Sequence, residues 1–327
     1  PDVMTGWGAV FRKWAEKGQL LDLQPLVDMT YSAEQLKDFH PWQWAGMVAP
    51  DTRIRFAMPY YVNVIMLLYN VDAFDEAGVP YPTADTDHTG YAEILKKMTK
   101  KEGDKVVRWG GYVQAWSYDR FQFHVQAYGG HVVSPEDWTE CTLDRPEAQE
   151  ALEWMRARIW DDNSAAQPLQ VEQRGEAQIW PTGLVATSEG GMGNLAFYAD
   201  EAKFKWALTH IPKGPARRST LGTNDGWAIY KGTKHPNEAW ELMKVLVGDD
   251  FQTMITSSWG GIPNRLSLLA NWKTLTIKRF PMLENANLDA VLQALQEGYP
   301  MMMEEFKKQA ESSTLVNAAL EKVFQVG

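Results

Sequence analysis

Helix-like and strand-like segments alternate along most of this chain, and that alternation restricts the folds open to it. The segments in which apolar residues recur at helical spacing are 10–14, 91–98, 148–159 and 239–246. The strand-like runs are 61–69, 109–113, 204–208 and 226–230. Regular alternation of the two element types is typical of α/β layers, in which helices cover a sheet. With 327 residues the chain can bury two medium-sized cores, so an α/β protein of two lobes is predicted.

Local signals predict where several helices begin and end. Asp144 followed three residues later by Glu147 fits a capping box and predicts a helix from there to about Trp160. A glycine follows each of the other helix-like segments, and we expect the helices to stop there; these glycines are Gly18, Gly103 and Gly248. Residues 288–323 contain three helix-like stretches and no clear strand, which predicts a helical cover on one lobe.

Charge and composition exclude several classes of partner. The formal net charge of −10 disfavours nucleic acid, whose binding needs Lys and Arg clustered on one face. The longest apolar run, Val64–Tyr69, is far shorter than the roughly 20 residues of a membrane-spanning helix. Cys141 is the only cysteine, which excludes an intrachain disulfide and a cysteine-based metal cluster. The first residue is Pro1 rather than Met, so we expect further residues upstream of it.

Four common catalytic motifs are absent: there is no nucleophile elbow, no H-E-x-x-H helix, no P-loop and no strand-linked G-x-G-x-x-G. Asp85-Thr-Asp87 imitates the start of a calcium loop, but Lys96 occupies the position that requires glutamate. His124 and His131 have no carboxylate at ligand spacing. We therefore predict no enzyme activity, no cofactor and no metal. A sugar-active hydrolase stays as an alternative, because the separation of two catalytic carboxylates is spatial and cannot be read from sequence.

Tryptophan is unusually abundant, with 15 residues. Core packing is the simplest explanation for any one of these rings. A flat indole can also stack on the apolar face of a sugar while its N–H binds a hydroxyl. The tryptophans on periodic apolar faces, which we expect in the core, are Trp14, Trp154, Trp206 and Trp240. Those kept as candidates for stacking on a ligand are Trp7, Trp116, Trp180, Trp227 and Trp259.

A series of short motifs runs in order from Asp2 to Pro263. They are Gly18-Gln-Leu-Leu-Asp-Leu23, Met58-Pro-Tyr-Tyr-Val-Asn63, Tyr69-Asn70 with Phe74-Asp-Glu-Ala-Gly78, Thr182-Gly-Leu-Val-Ala186, Ile211-Pro-Lys-Gly-Pro215, Lys234-His-Pro-Asn-Glu-Ala-Trp240 and Gly261-Ile-Pro263. In these motifs and their order the chain resembles the extracellular solute-binding proteins of the maltose-binding-like family, family 1. The family's first strand-helix-strand unit would lie upstream of Pro1.

The resemblance implies a class II periplasmic-binding-protein-like fold. Its two α/β lobes have mixed sheets flanked by helices, and they enclose a hinged cleft. The N-lobe would comprise 1–108 and 228–261, and the C-lobe 109–227 and 262–327 with the C-terminal helices. The ligand would bind in the cleft, at loops beyond the strand ends.

The resemblance also implies which side chains contact the ligand. One of Tyr60 and Tyr61 should face it, since neighbours on a strand point to opposite sides. Glu189 opens a glycine-rich segment that we expect to be a loop in close approach to the ligand or to another backbone, or else a plain turn. The residues predicted to bind the ligand are Trp7, Tyr60, Tyr61, Asn63, Trp116, Asp119, Glu189, Asn224, Asp225, Trp227, Trp259 and Arg265.

By the same resemblance, the chain is expected to be the binding component of a bacterial ABC importer. It would bind a mono- or oligosaccharide and deliver it to the membrane permease. It would act as a monomer in the periplasm, or lipid-anchored at the outer face of the cell membrane. A glycerol phosphate ester is an alternative ligand, for which positive charge would come from Arg217, Arg218 or Arg265. A peptide is another, as is a polyamine, for which carboxylates would come from Asp119, Glu189 and Asp225.

Overall fold

The computed structural model describes residues 1–49, 52–113, 115, 118–223, 225–301 and 303–325. The chain forms two compact units. Unit 1 comprises Pro1–Val64 and Gly222–Pro281, and unit 2 comprises Ile65–Leu221 and Met282–Gly327. The chain therefore passes from one unit to the other after Val64, Leu221 and Pro281.

Helices contribute much of both units. In chain order they are α1 (Gly8–Glu16), α2 (Gln24–Thr30), α3 (Ala33–Leu36), α4 (Pro41–Gly46), α5 (Val71–Ala77), α6 (His88–Met98), α7 (Gln122–Ala127), α8 (Pro146–Arg156), α9 (Pro168–Arg174), α10 (Glu176–Ile179), α11 (Leu195–Glu201), α12 (Pro236–Leu246), α13 (Asp249–Trp259), α14 (Leu269–Arg279), α15 (Asp289–Glu297) and α16 (Gln309–Phe324). Beyond α8 the chain continues as a turn of π-helix at Ala157–Asp161.

The strands are mostly short. They are β1 (Val3–Gly6), β2 (Met58–Pro59), β3 (Tyr61–Asn70), β4 (Lys100–Glu102), β5 (Lys105–Tyr112), β6 (Val185–Gly191), β7 (Trp206–Thr209), β8 (Thr220–Thr223), β9 (Gly226–Ile229), β10 (Ile262–Pro263) and β11 (Pro300–Met301). The longest of them is β3, with 10 residues. It begins in unit 1 and ends in unit 2.

In unit 1, β9 lies between β1 and β2 in an antiparallel sheet. Successive residues of β9 face opposite sides, and each side has its own core. Ala228 packs in a cluster with Phe11 of α1, whereas Ile229 packs with Val27 of α2 and Met243 of α12. This sheet therefore lies between α1 on one face and α2 with α12 on the other.

In unit 2, the second half of β3 joins a mixed sheet. It pairs antiparallel with β6 and β7, while β6 runs parallel to β5 and β5 antiparallel to β4. The start of β8 pairs in parallel with β11. Residues 64–70 of β3 are all buried, as expected of a strand with cover on both faces. The prediction of mixed sheets flanked by helices is confirmed.

Several element ends differ from the prediction. The capping box at Asp144 is wrong, because α8 begins at Pro146 and no side chain caps it; a proline at the first helical position has no N–H that needs a partner. Helix α6 leaves the helical conformation at Thr99 instead of at a glycine, and Gly103 lies in the turn between β4 and β5. The region 288–323 contains α15, α16 and a short strand, β11, which the sequence did not predict.

The compact units divide the chain at other residues than the predicted lobes. Residues 65–108, assigned to the N-lobe from the resemblance, belong to unit 2. Residues 222–227 and 262–281, assigned to the C-lobe, belong to unit 1. The first difference arises because β3 changes partners along its length: Val62 pairs with β10, whereas Leu67 pairs with β6 and β7. The lobes as moving bodies stay a prediction.

Candidate functional site

Strands β1 and β2 end, and the antiparallel β9 begins, at the same end of the unit 1 sheet. Gly226 of β9 is paired with Gly6 of β1 on one side and with Pro59 of β2 on the other. Trp7 follows β1, Tyr60 follows β2 and Asp225 precedes β9, so all three residues lie just beyond this end of the sheet. The backbone N–H of Tyr60 donates to the carbonyl of Asp225 at 2.9 Å, which continues the register past the strand ends. Residues far apart in sequence are thus brought together by pairing alone.

Five half-buried rings of unit 1 form what we call the aromatic row: Trp259, Tyr61, Tyr60, Trp227 and Phe251. Tyr60 lies 4.7 Å from Trp227 and 4.9 Å from Tyr61, measured between ring centroids. Tyr61 lies 5.0 Å from Trp259, with the planes at 89°. Phe251 lies 6.1 Å from Trp227. The row is thus continuous, and each ring is close enough to its neighbour to limit that neighbour's movement.

The expectation that Tyr60 and Tyr61 point to opposite sides does not hold. Tyr60 falls in the break between β2 and β3, so the alternation of a regular strand does not apply to it. Both rings consequently contribute to the aromatic row.

Buried amide side chains fix the backbone under the aromatic row. Gln252 of α13 donates to the carbonyl of Tyr60 at 2.8 Å and accepts from the N–H of Asn264 at 2.8 Å. Asn264 donates to the carbonyl of Pro59 at 2.6 Å, and Gln43 of α4 donates to that of Tyr61 at 2.6 Å. All three amides are buried. They act as positioning residues, because they hold the backbone from which the two tyrosines project.

Polar groups flank the aromatic row. Asn63 is paired with Thr223 in the β3–β8 ladder, and the Thr223 hydroxyl donates to Asp225 Oδ2 at 2.7 Å. Burial, and secondarily the negative charge of Asp225, raise the pKa of Tyr60. The Tyr60 hydroxyl therefore stays protonated near neutral pH and can both donate and accept a hydrogen bond. Rings beside an amide and a carboxylate suit a ligand that has apolar faces and hydroxyl groups.

Trp42 is a half-buried ring that sequence reasoning missed. It lies on α4, and a Cβ on Gly222 would come within 2.9 Å of its ring. Gly222 is opposite Val64 in the β3–β8 ladder, one residue from the Asn63–Thr223 pair. The signal that was available is the glycine inside a strand, which often marks the close approach of another group.

His40 is a buried imidazole directly before α4, with its ring centroid 6.2 Å from that of Trp42. Burial lowers the pKa of His40 from 6.5 to about 4, and nearby Asp38 acts weakly in the opposite direction. The folded protein keeps the ring neutral over a pH range in which the unfolded chain binds a proton. We therefore expect stability that is fully present above about pH 6.5 to be lost as the pH falls to about 4, by about 3 kcal/mol for this group.

Denaturant unfolding at both ends of this pH range measures the effect. From neutral pH to about pH 4, the stability of wild type relative to His40→Gln should fall by about 3 kcal/mol. His235→Gln, which changes an exposed histidine, serves as the control and should keep the wild-type pH dependence. Parallel pH curves for wild type and His40→Gln would contradict the assignment.

The predicted residues of unit 2 have different surroundings. Asp119 is half-buried and forms an ion pair with Arg120 at 3.0 Å. Glu189 does not lie in a loop: it is a fully buried residue of β6, and its carboxylate is 3.0 Å from Nε2 of His124. We leave Glu189 out of the candidate site because it has no exposed surface. Trp116 and Asn224 lie outside the described residues.

Arg265 belongs to unit 1, but its contacts are internal. Its guanidinium lies 3.9 Å from the centre of the Phe39 ring and donates to the carbonyls of Val247 and Gln35. Arg217 and Arg218 donate in the same way to the carbonyls of Gln126 and Ala84. Positive charge that was expected at the site therefore stabilises backbone elsewhere. Trp180 is also buried, in edge contact with a phenylalanine, so it is a core residue.

Neither metal binding nor membrane spanning finds support in the part of the chain that is described. No group of three or more His, Cys, Asp or Glu side chains among those residues could hold a metal ion. None of the described helices combines the length and apolar character needed to cross a membrane.

Comparison with known proteins identifies one family by sequence and several solved structures that share the fold. The model of a family described as bacterial extracellular solute-binding protein matches residues 1–253. A binding protein of Brucella abortus strain 2308 is 23% identical over 215 residues, which cover 64% of this chain and 50% of the relative. The chain thus spans about half the length of the curated relatives it matches.

Among solved structures, the ABC substrate-binding protein Lmo0181 from Listeria monocytogenes, in complex with cycloalternan, has a TM-score of 0.86 at 21% identity, over 99% of this chain and 79% of that one. UgpB from Mycobacterium tuberculosis, in complex with glycerophosphocholine, has a TM-score of 0.78 at 20% identity, over 100% and 79%. Maltose-bound MalE3 of T. maritima has 0.78 at 19%, over 100% and 80%. These likenesses confirm the predicted two-lobed periplasmic-binding-protein-like fold.

Proposed function

The chain belongs to the bacterial extracellular solute-binding protein family, and from that membership we propose that it is the carbohydrate-binding component of a bacterial ABC importer. Membership confirms the resemblance drawn from the ordered motifs. It also implies a place outside the cytoplasm and a role in binding a solute without converting it. The permease as partner, the monomeric state and a periplasmic or lipid-anchored form are parts of the proposal.

The aromatic row is the observation that carries the carbohydrate proposal. A sugar presents flat apolar C–H faces bordered by hydroxyls, and unit 1 presents flat rings bordered by Asn63, Thr223 and Asp225. Micromolar capture corresponds to about −8 kcal/mol. Rings that each bury about 150–250 Å² contribute a few kcal/mol apiece before ordering is subtracted. Two or three stacked rings with several hydroxyl bonds are therefore sufficient.

We propose that the ligand contacts come from one edge of unit 1 together with groups elsewhere in the chain. The unit 1 contacts are Trp7, Trp42, Tyr60, Tyr61, Asn63, Asp225, Trp227 and Trp259. Asp119, Trp116 and Asn224 complete the proposed set. Binding would favour a closed form of two hinged lobes, which the permease would recognise.

The solved relatives support a sugar more than the other ligands. The ligands bound in solved structures of this fold include cycloalternan, maltose and tagatose, and also glycerophosphocholine. A phosphate ester needs free cationic groups, but Arg217, Arg218 and Arg265 are each engaged with a carbonyl group of their own unit. A polyamine needs several free carboxylates, and Glu189 is fully buried. The sugar proposal needs neither group.

Titration calorimetry against a ligand panel tests the proposal. The panel contains linear and cyclic α-glucans, mannooligosaccharides and tagatose, with glycerophosphocholine, putrescine and a short peptide as the arms for other ligands. We expect heat with at least one saccharide and a dissociation constant of about 1 μM or lower. Heat with only a non-sugar ligand would contradict the carbohydrate proposal. Hydrolysis of a chromogenic glycoside would contradict the proposal that the protein binds its ligand without converting it.

Gly261 offers a second test of the aromatic row. A Cβ at this position would lie 2.6 Å from the Trp259 ring, so Gly261→Ala forces the ring to turn. We expect sugar affinity to fall about three- to tenfold, which is up to about 1.4 kcal/mol, with a stability loss of similar size. Ser257→Ala, on an exposed position of α13, is the control and should change neither quantity. Unchanged affinity in Gly261→Ala would remove Trp259 from the proposed set.

A further inference from the structure

Unit 2 contains a groove of about 1130 Å³ that the proposed sugar site does not use. We call it the α8–α16 groove, since these two helices supply most of its walls, with the segment 139–144 and Phe306 completing them. Pockets for small organic ligands have volumes of about 300–1,000 Å³. The groove is therefore large enough for an organic molecule.

The floor of the α8–α16 groove is apolar. Leu152 of α8 faces Val316 and Leu320 of α16, and Phe306 closes one side. At its lip, Leu315 is 73% exposed. Each buried Å² of such surface contributes about 25 cal/mol, so covering this floor favours the bound state. An apolar body is what the floor would accept.

The charged residues that line the groove all have the same sign: Asp144, Glu150 and Glu153. Glu153 is 3.4 Å from Arg156. Asp144 and Glu150 form no ion pair with any residue that the structure describes. Their charges are therefore available to a cation seated on the floor and would repel an anion.

We propose that the α8–α16 groove binds an amphipathic organic cation, in which an apolar body carries an ammonium group. The apolar floor takes the body, and Asp144 and Glu150 at the rim take the charge. A second copy of this chain fits less well, because it would bring the same acidic rim and a net charge of −10 against the groove. The proposal is independent of the sugar site, because none of the residues proposed to contact the sugar lines this groove.

Cys141 provides the readout. It is a free, exposed thiol, it lines the groove, and it is the only cysteine of the chain. A ligand in the groove should shield the thiol, so the rate of alkylation by a maleimide reports occupancy. The probes are octyltrimethylammonium, octyl glucoside and octyl sulfate, used below micelle formation, which share one chain and differ in head-group charge.

We expect the cation to slow alkylation of Cys141 at a concentration at least about tenfold lower than the neutral and anionic probes, a difference of about 1.4 kcal/mol. The pair Asp144→Asn and Glu150→Gln should remove most of that preference while leaving binding of the neutral probe unchanged. Equal protection by all three probes, stronger protection by octyl sulfate, or no protection would overturn the proposal. So would protection by a basic amphipathic peptide alone, which would assign the groove to a protein partner.

Two further variants test where the probe binds. Ala319→Trp fills the groove and should abolish protection by every probe. Leu315→Ser, which changes an exposed side chain, should weaken binding of the cationic probe about threefold or more without affecting folding. Leu242→Ser, at an exposed position of α12 in unit 1, is the matched control and should leave protection at the wild-type level. Protection that survives in both groove variants would overturn the proposal.

Discussion

Replacing Trp227 with leucine is expected to weaken sugar binding by about ten- to a hundredfold, or about 1.4–2.8 kcal/mol. Trp227 lies inside the aromatic row, in contact with Tyr60 and Phe251. Its Nε1 is buried and has no hydrogen-bond partner among the described residues, so a ligand hydroxyl is a suitable acceptor. Leucine keeps an apolar contact with the core but removes both the flat ring and the N–H.

The stability of the Trp227→Leu variant has to be measured alongside its affinity. Part of the ring packs on the cluster that contains Met58 and Ile229, so the melting temperature should fall somewhat. Trp14→Leu is the matched control: Trp14 is a half-buried ring of unit 1 that packs on the other face of the sheet, with Phe11. It should lose stability and keep its affinity. If Trp227→Leu shows the same pattern as Trp14→Leu, Trp227 is only a core residue.

The elements of the fold could be predicted because their signals are local. The run 61–69 and the apolar face of 239–246 became β3 and α12, since burial of one stripe or one continuous run determines both. Their exact ends were less predictable. The start of α8 depends on Pro146 rather than on a side-chain cap, and the sequence signals for the two are similar.

Members of the site could be predicted only from their positions in or beside the family motifs. Asp225 and Tyr60 are brought together by strand register, which no local pattern reveals. Trp42 was missed for the same reason, because its ring lies against Gly222 of β8, far away in the sequence. Such contacts depend on long-range pairing, so the sequence alone does not specify them.

Glu189 and Arg265 are two of the residues left out of the candidate site, and in both cases burial overrides the sequence signal. Glu189 precedes glycines that resemble a loop, yet Gly190 is a packing position: its Cβ would lie 2.5 Å from Leu68 of β3. Arg265 was expected to offer charge to a ligand, but an aromatic ring and two carbonyls enclose it. Charge and glycine content describe what a segment can do, whereas burial decides what it does.

Gln252→Leu is expected to produce the largest loss of stability among these variants. The buried Gln252 amide bonds the carbonyls of Tyr60 and Leu246 and the N–H of Asn264. Leucine has nearly the same volume but leaves these buried backbone groups with fewer partners. Each unsatisfied group costs about 1–3 kcal/mol. The Tyr60 carbonyl also accepts from the Asn264 amide at 3.2 Å, so we expect a total loss of about 3–4 kcal/mol. Denaturant unfolding measures this loss.

The same substitution should also weaken ligand binding, although Gln252 itself is buried beneath the aromatic row. The Tyr60 backbone loses one of its supports, so Tyr60 and its neighbours no longer hold one arrangement, and we expect affinity to fall about tenfold under conditions where the protein is folded. Gln296→Leu, the same change at an exposed position of α15, should alter neither stability nor affinity. A variant that is destabilised yet binds sugar as tightly as wild type would show that Gln252 supports the fold without positioning the rings. Lost affinity at unchanged melting temperature would instead make the amide a direct ligand contact, contrary to its burial.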